Sequence, residues 1–304
     1  MRSYAMEAYE LIYTEPAGEM AVEALRFKGV KGMRVKTIKS GEQVEAMCFS
    51  IVNDMEAVKR AKAAKKQSTQ AQARFNEKCS YLNMERLSNA NFGVGDYLGT
   101  FTYAPGKQPK SDEEAQRNMR NFIGRLKYEW DKHKEYGPMK YIYCTERTEG
   151  KGGVKYHHHM ILSGNGMTRD QVEAKWPYGI ANTKRYQWQE NGFSGWAHYM
   201  VQKKADRQRP QEKATRRRWA ASTNLVKPTI TRADRKITRK QAMRIATAAE
   251  TEAAAIFEKA YPNCVLLSCE VRWSQYAPGP YIYARLRKKE EHEKRKPTRA
   301  AGRR

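Results

Sequence analysis

The sequence has no long apolar run and no segment typical of a secreted chain. No apolar stretch approaches the length of about 18 residues that a membrane-spanning helix needs. Residues 1–10 mix acidic with aromatic side chains, so they lack the apolar centre of a signal peptide. We therefore expect a cytoplasmic protein that does not bind membranes.

Cysteine is scarce, and the sequence lacks a nucleotide-binding loop. The five cysteines form no CxxC motif and stand at positions Cys48, Cys79, Cys144, Cys264 and Cys269. Scattered single cysteines are typical of a reducing compartment and argue against a disulfide framework or a structural zinc site. The GxxxxGK[ST] pattern is absent, so the sequence predicts no fused helicase.

Acidic residues are few relative to basic ones. Asp and Glu number 33 against 58 Lys and Arg, which gives a formal net charge of +25 over 304 residues. Such an excess favours a polyanionic partner, above all nucleic acid, over a small-molecule substrate. The alternative is a basic protein without a specific role on nucleic acid.

The chain divides by composition into four regions: 1–90, 91–228, 229–286 and a basic tail at 287–304 that we expect to be disordered. Alternation over residues 33–51, with a turn at Gly41, predicts a β-hairpin. Residues 54–87 have a helical pattern with crowded lysines, which either form a solvated face or contact phosphates. After the central region, a helix is expected over 238–261 and strands over 265–273 and 281–286.

The region 91–228 alternates between strand and helix patterns. Strands are predicted over 96–103, 139–146, 156–162 and 178–188, with a glycine-rich hairpin loop at 147–155. Ser111 and Thr168 are predicted to cap helices. A buried helical stripe is formed by Met119, Phe122, Ile123, Leu126 and Trp130. The order β-α-β-β-α-β-α, ending in a helix near Ser194, predicts an α+β fold with a ferredoxin-like antiparallel sheet flanked by helices.

Three consecutive histidines lie within the predicted strand 156–162. The two-residue period of a strand places His157 and His159 on one face and His158 on the other. The hairpin can bring Glu146 beside them, with Glu149 as a rival. Two imidazoles and a carboxylate suit Mg²⁺ or Mn²⁺ with positions open for phosphate oxygens. The alternative interpretation is a strand or surface patch with histidines that bind nothing.

Tyr199 follows on a predicted helix with Lys203 four residues later. A phenol has a pKa of about 10 and is a poor nucleophile unless a metal ion or an ammonium group assists it. Lys203 shares a helix face with Tyr199 and can supply that ammonium group. The alternatives are that Tyr199 is a core aromatic beside Trp196 and Met200, and that Lys203 is solvated or contacts the DNA backbone.

These residues resemble the HUH-type endonucleases that initiate rolling-circle replication of plasmids and phages. The family pattern of paired histidines on a strand matches His157-His158-His159, and the upstream Phe-Thr-Tyr strand matches residues 101–103. Tyr199 stands where the family has its tyrosine helix. The resemblance extends over about residues 96–228. The chain departs from the pattern at His158, where the family has an apolar residue, and at Gln202, where a lysine is frequent.

The resemblance implies a site-specific single-strand DNA endonuclease and strand transferase. Its nucleophile would be Tyr199, assisted by Lys203, and its Mg²⁺ or Mn²⁺ would be held by His157, His159 and Glu146. Attack on single-stranded or hairpin origin DNA would leave a 5′-phosphotyrosyl link and a free 3′-OH, without ATP. A helicase and a DNA polymerase of the bacterial host would then be partners.

Other functions remain open on the sequence. A transposase or a plasmid-mobilising relaxase would use the same chemistry. A non-catalytic single-stranded-DNA-binding protein would use stacking aromatics such as Trp188, Trp196 and Tyr186. A metal-dependent hydrolase would use water in place of the tyrosine. Replacement of Tyr199 by Phe separates these classes, because only the tyrosine endonucleases need its hydroxyl.

Overall fold

The computed structural model describes residues 30–52, 69–150, 153–202, 219–247, 250–274 and 277–290. Its contacts divide the chain into two compact units. The central unit is Tyr81–Lys227, and the flanking unit is Met1–Ser80 together with Pro228–Arg304. Each unit contains one five-stranded antiparallel sheet. In the described part of the chain, every helix is too short or too polar to cross a membrane.

The flanking unit joins segments from both ends of the sequence. Its strands and helices are β1 (Val30–Ser40), β2 (Gln43–Val52), β8 (Thr229–Asp234), α5 (Arg239–Thr247), α6 (Glu250–Ala260), β9 (Cys264–Ser274) and β10 (Ala277–Lys288). The sheet order is β8-β1-β2-β10-β9. The predicted hairpin is confirmed as β1 and β2, with Gly41 in the turn at a φ of 60°. The N-terminal and C-terminal regions therefore share one sheet and one apolar core.

The central unit begins within α1 (Thr69–Asn91), whose residues from Tyr81 onward belong to it. The other elements are β3 (Tyr97–Tyr103), α2 (Asp112–Trp130), β4 (Tyr141–Gly150), β5 (Gly153–Leu162), α3 (Arg169–Ala174), β6 (Gly179–Arg185), α4 (Ser194–Gln202) and β7 (Trp219–Ala221). The order β-α-β-β-α-β-α is confirmed, and the strands are arranged β6-β3-β5-β4-β7. The first four strands in this arrangement have the ferredoxin-like order, and the α+β class is confirmed.

Some sequence predictions extend past the residues that the structure describes. Of the basic helical pattern over 54–87, the part from Thr69 onward is present in α1, and residues 54–68 lie outside the described ranges. Of the tail expected to be disordered, residues 291–304 likewise lie outside them. The first residues of that tail belong to β10, which continues to Lys288. The predicted boundary at residue 286 therefore falls inside a strand.

The hairpin of β4 and β5 is longer than the sequence predicts. The glycines predict a loop over residues 147–155, but the ladder continues through Arg147↔Tyr156 and Thr148↔Lys155 to Gly150↔Gly153. The glycines therefore lie at the tip of the hairpin, where Gly153 has a φ of 88°, and they do not interrupt the strands. The consequence is a longer frame for the residues between Glu146 and His157.

The central sheet is covered on both faces. On one face, α2 buries its predicted stripe against Tyr97, Phe101 and Met160. On the other face, α4 contributes Ala197 and Met200 to a cluster with Ile142, Cys144 and Ile161. The second face is also the face of His157 and His159, because residues 157, 159 and 161 of β5 point the same way. The apolar packing of α4 therefore fixes this helix beside the histidines.

Helix α2 begins at a side-chain cap. The Ser111 hydroxyl accepts a hydrogen bond from the Glu114 backbone N–H at 3.2 Å. We expect Ser111→Ala to lower the free energy of unfolding by about 1 kcal/mol, because that N–H loses its partner. Urea unfolding followed by circular dichroism measures the change. The matched variant Ser111→Asp should keep the stability, since aspartate also caps helices; an equal loss in both variants would contradict this account.

Candidate active site

The three histidines of β5 separate onto the two faces of the sheet. His158 lies on the α2 side and is fully buried. Its Nε2 is 2.8 Å from the Tyr103 hydroxyl, its Nδ1 is 2.9 Å from the Thr145 hydroxyl, and its ring lies against Trp176. Burial raises the pKa of Tyr103, so its protonated hydroxyl donates to Nε2. Both ring nitrogens of His158 are thus engaged within the core.

His157 and His159 lie on the α4 side and are held in the same way. The Nδ1 of His157 is 3.2 Å from the Thr102 hydroxyl, and the Nδ1 of His159 is 3.3 Å from the Thr100 hydroxyl. Both contacts follow from the register of β3 and β5, which pairs Thr102 with His157 and Thr100 with His159. The shared orientation directs both Nε2 atoms away from β3.

Glu146 reaches the histidine pair from the neighbouring strand β4. It stands opposite His157 in the register, and its Oε2 is 3.1 Å from the Nε2 of His159. This is a diagonal contact across an antiparallel pair. The side chains of His159 and Glu146 are only 9% and 17% exposed. The side chain of Glu149, the rival carboxylate, lies outside the described residues.

Burial lowers the pKa of His157. The nearby Glu146 carboxylate raises this pKa, whereas His159 and Lys155 lower it, and burial is the largest of these effects. Because the unperturbed value is about 6.5, the imidazole of His157 is neutral at pH 7. A neutral imidazole is the form that binds a metal ion.

Tyr199 lies on α4 and is 42% exposed. Its ring stands perpendicular to the ring of His159, with 5.7 Å between the ring centroids. The helix is held by its neighbours Ala197 and Met200, which are buried, and the Met200 sulfur is 3.0 Å from the Cys144 sulfur. The interpretation of Tyr199 as a core aromatic does not fit its exposure.

The first turn of α4 is also tied to α1. The Tyr81 hydroxyl is 3.0 Å from the Ser194 hydroxyl, and the Tyr81 ring contacts the ring of His198 edge-on at 6.0 Å. The sequence gives no sign of this contact, because Tyr81 lies more than a hundred residues before Ser194 in a helix interpreted by its charge. α1 therefore positions the helix that carries Tyr199.

Lys203 lies outside the described residues, so its proposed role stays a prediction. The helix α4 is described to Gln202. Among the described residues, no group of three or more His, Cys, Asp or Glu side chains has the arrangement of a metal site. The structure brings Glu146 and His159 into direct contact and places His157 beside them, without converging all three on one point.

Sequence reasoning missed the two threonines and an open strip beside them. The strip consists of Ile180, Asn182 and Lys184, which are exposed on the edge strand β6. Register pairs Ile180 with Thr102 and Asn182 with Thr100, so the strip shares the face of the histidines. The alternating pattern of β6 was a signal for this strip, whereas the threonine contacts depend on register that no local pattern gives.

Comparison with known proteins gives one match. Residues 96–205, less than half of the chain, match a family model of replication-associated proteins, the ORF2 family. This similarity suggests a protein that initiates replication and has DNA as a partner. No curated protein and no solved structure matches the chain. The matched range begins just before β3 and includes the histidine strand and Tyr199.

Proposed function

We propose that the central unit nicks and rejoins single-stranded origin DNA through Tyr199, as an initiator of rolling-circle replication. The observation that supports this most directly is the exposed ring of Tyr199 standing 5.7 Å from the ring of His159, which is hydrogen-bonded to Glu146. A nucleophile that must reach a phosphodiester has to be exposed, and groups that orient the phosphate have to lie beside it.

The reaction exchanges one phosphoester bond for another. The phenolic oxygen of Tyr199 attacks phosphorus in line, the bond from phosphorus to the 3′ oxygen breaks, and that oxygen leaves as a 3′-OH after taking up a proton. The phenol proton is lost to solvent or to a neighbouring base. The product is a 5′-phosphotyrosyl link, and attack by a 3′-OH reverses the step. Because the phosphodiester energy is kept in the tyrosyl bond, no ATP is required.

The donor set around His159 fits Mg²⁺ or Mn²⁺, with His157, His159 and Glu146 as the ligands. Two neutral imidazoles and a carboxylate are suitable donors, and both Nδ1 atoms already have hydroxyl partners. When bound, such an ion supplies positive charge that polarises the scissile phosphate. The fit rests on the chemistry of these donors, since His159 and Glu146 are at present hydrogen-bonded to each other.

The threonines suit both states of the histidines. With Nε2–H of His159 donating to Glu146, its Nδ1 accepts a hydrogen bond from Thr100. A metal-binding Nε2 needs the other tautomer, in which Nδ1–H donates to the same hydroxyl. A threonine hydroxyl donates or accepts by rotating, so Thr100 and Thr102 hold the rings in place through the change of tautomer.

We expect Thr100→Val and Thr102→Val to weaken Mn²⁺ binding by about 10- to 100-fold, because each leaves one imidazole without its orienting partner. Valine keeps the shape of threonine and the strand propensity, so the fold should persist. Titration calorimetry of the full chain measures the affinity, with Thr231→Val on β8 as the control. Unchanged affinity in both site variants would show that the hydroxyls do not orient the rings.

The open strip on β6 provides an approach for the substrate. Ile180 and Asn182 can contact bases, and Lys184 can contact a phosphate, on the face where the histidines lie. Lys203 is the proposed ammonium group that assists Tyr199. A helicase and a DNA polymerase of the bacterial host would extend the free 3′-OH, as the absence of a nucleotide-binding loop from this sequence implies.

The rival functions differ in how well the structure supports them. Of the three aromatics suggested for a non-catalytic binding protein, Tyr186 is buried and stacked on Phe193, and Trp196 packs against the core below α4. Trp188 is exposed. A transposase or relaxase would use the same residues, so the replication role draws on the family similarity of residues 96–205.

The test is the capture of a covalent adduct. The full chain is incubated with Mn²⁺ and a single-stranded library with a randomised centre, labelled at the 3′ end or at the 5′ end, and then resolved under denaturing conditions. We expect the 3′ label, and not the 5′ label, to migrate with the protein, because the 5′-phosphate joins the tyrosine. Cleavage without an adduct would support hydrolysis by water, and adducts carrying the 5′ label would reverse the assigned polarity.

A further inference from the structure

One end of the flanking sheet gathers lysines from four separate segments. The β1–β2 turn lies beside the end of β10, where the Lys288 N–H donates to the Glu42 carbonyl at 2.9 Å. The next residue, Lys289, donates its backbone N–H to the Asn263 carbonyl at 2.8 Å. Lys288 is also paired with Cys264 in the ladder of β9 and β10. This end of the sheet is therefore a fixed junction.

The side chains at this junction are mainly basic. The lysine edge consists of Lys39, Lys236, Lys288 and Lys289, and all four lie close enough to lower the pKa of the Cys264 thiol, which burial raises. The ammonium group of Lys236 lies 3.5 Å from the centroid of the Tyr261 ring. Burial, and secondly Lys39, lower the pKa of Lys236, so these two charges are near neighbours.

Little negative charge balances the lysine edge. Lys288 Nζ lies 3.4 Å from Glu42. Within the described ranges, no carboxylate lies at ion-pair distance from Lys39, Lys236 or Lys289, and Lys39 and Lys236 are exposed. Like charges held close together repel each other, and a polyanion relieves that repulsion. Because the Tyr261 ring is buried beneath Lys236, the edge presents charge and no exposed aromatic surface for base stacking.

We propose that the lysine edge binds the phosphate backbone of DNA without reading its sequence. Phosphate contacts from lysines position a protein on DNA, whereas base contacts specify the sequence. The surface lies in the flanking unit, and it needs neither the metal ion nor Tyr199. The proposal is therefore independent of the chemistry assigned to the central unit, and it gives the flanking unit a role in holding DNA.

The first experiment measures how salt weakens DNA binding. The full chain in EDTA is titrated onto a labelled duplex of arbitrary sequence, and onto the corresponding single strand, at several NaCl concentrations. Each phosphate neutralised by a lysine contributes about 0.9 to the slope of the logarithm of affinity against that of salt. We expect Lys39→Gln/Lys289→Gln to reduce this slope by about 2 for the form of DNA that is bound.

The control is Lys31→Gln, which removes the same charge from an exposed position on β1, about 26 Å away along the strand. We expect Lys39→Gln to reduce the slope by about 1 and Lys31→Gln to leave it unchanged. Equal reductions in both variants, or no reduction in either, would overturn the proposal. In a second measurement, DNA should protect Lys39, Lys236 and Lys289 from acetylation and leave Lys31 reactive. Equal protection by polyglutamate would indicate an acidic protein partner and overturn the assignment to DNA.

Discussion

Replacing Tyr199 by Phe should abolish the covalent protein–DNA adduct while leaving the fold and the binding of DNA intact. The phenol hydroxyl is the only atom group removed, and the ring that contacts His159 stays. Because the attacking atom itself is lost, we expect the rate of adduct formation to fall by about 10³-fold or more. Denaturing gels of the 3′-labelled single strand in Mn²⁺ measure this rate.

The matched control is Tyr128→Phe. Tyr128 is an exposed tyrosine on α2, at 69% exposure, and its ring contacts Lys132 just after the same helix. It offers the same hydroxyl to solvent without histidines beside it, so its loss should change nothing. If Tyr199→Phe cleaves DNA as fast as the unchanged chain, water or another residue is the nucleophile and the proposed chemistry is wrong.

The central fold could be predicted because its elements are marked locally. The Ser111 cap, the apolar stripe ending at Trp130 and the Thr168–Gln171 capping box are short-range signals, and each is present in the structure. The two-residue period of β5 likewise separated His158 from its neighbours. Local patterns suffice where a side chain's environment is set by its own helix or strand.

The flanking sheet could not be predicted in this way. Its core pairs β1 with β8 and β2 with β10, across sequence separations of about two hundred residues. The hairpin of β1 and β2 was recognisable, but nothing in its pattern specifies which strands complete the sheet. The composition-based division at residues 90 and 228 treats these segments as separate regions, whereas their contacts form one unit.

The candidate site shows the same distinction. His157, His159 and Tyr199 were identified by residue type and spacing, whereas Thr100 and Thr102 emerged from the pairing of β3 with β5. Tyr81 likewise contacts α4 from a distant helix. Residues that carry chemistry are recognisable by type, but the residues that orient them depend on register and packing.

The consecutive histidines provide the sharpest test of that division, because neighbours in sequence should fail in different ways. We expect His157→Ala and His159→Ala to weaken Mn²⁺ binding by at least about 100-fold, since a ligand contributes more than the partner behind it. Adduct formation should fall with the affinity. Their free energies of unfolding should change little, because neither ring is enclosed as completely as that of His158. Titration calorimetry and urea unfolding measure the two quantities.

His158→Ala should show the opposite pattern. It leaves a cavity beside Trp176 and removes the partner of the buried Tyr103 and Thr145 hydroxyls, so we expect a loss of about 3 kcal/mol in the free energy of unfolding. The Mn²⁺ affinity of the folded fraction should stay near that of the unchanged chain. His198→Ala, at an exposed position on α4, controls for histidine loss in general. A loss of Mn²⁺ affinity in His158→Ala without a loss of stability would move the ligand pair by one residue and contradict the assignment of faces in β5.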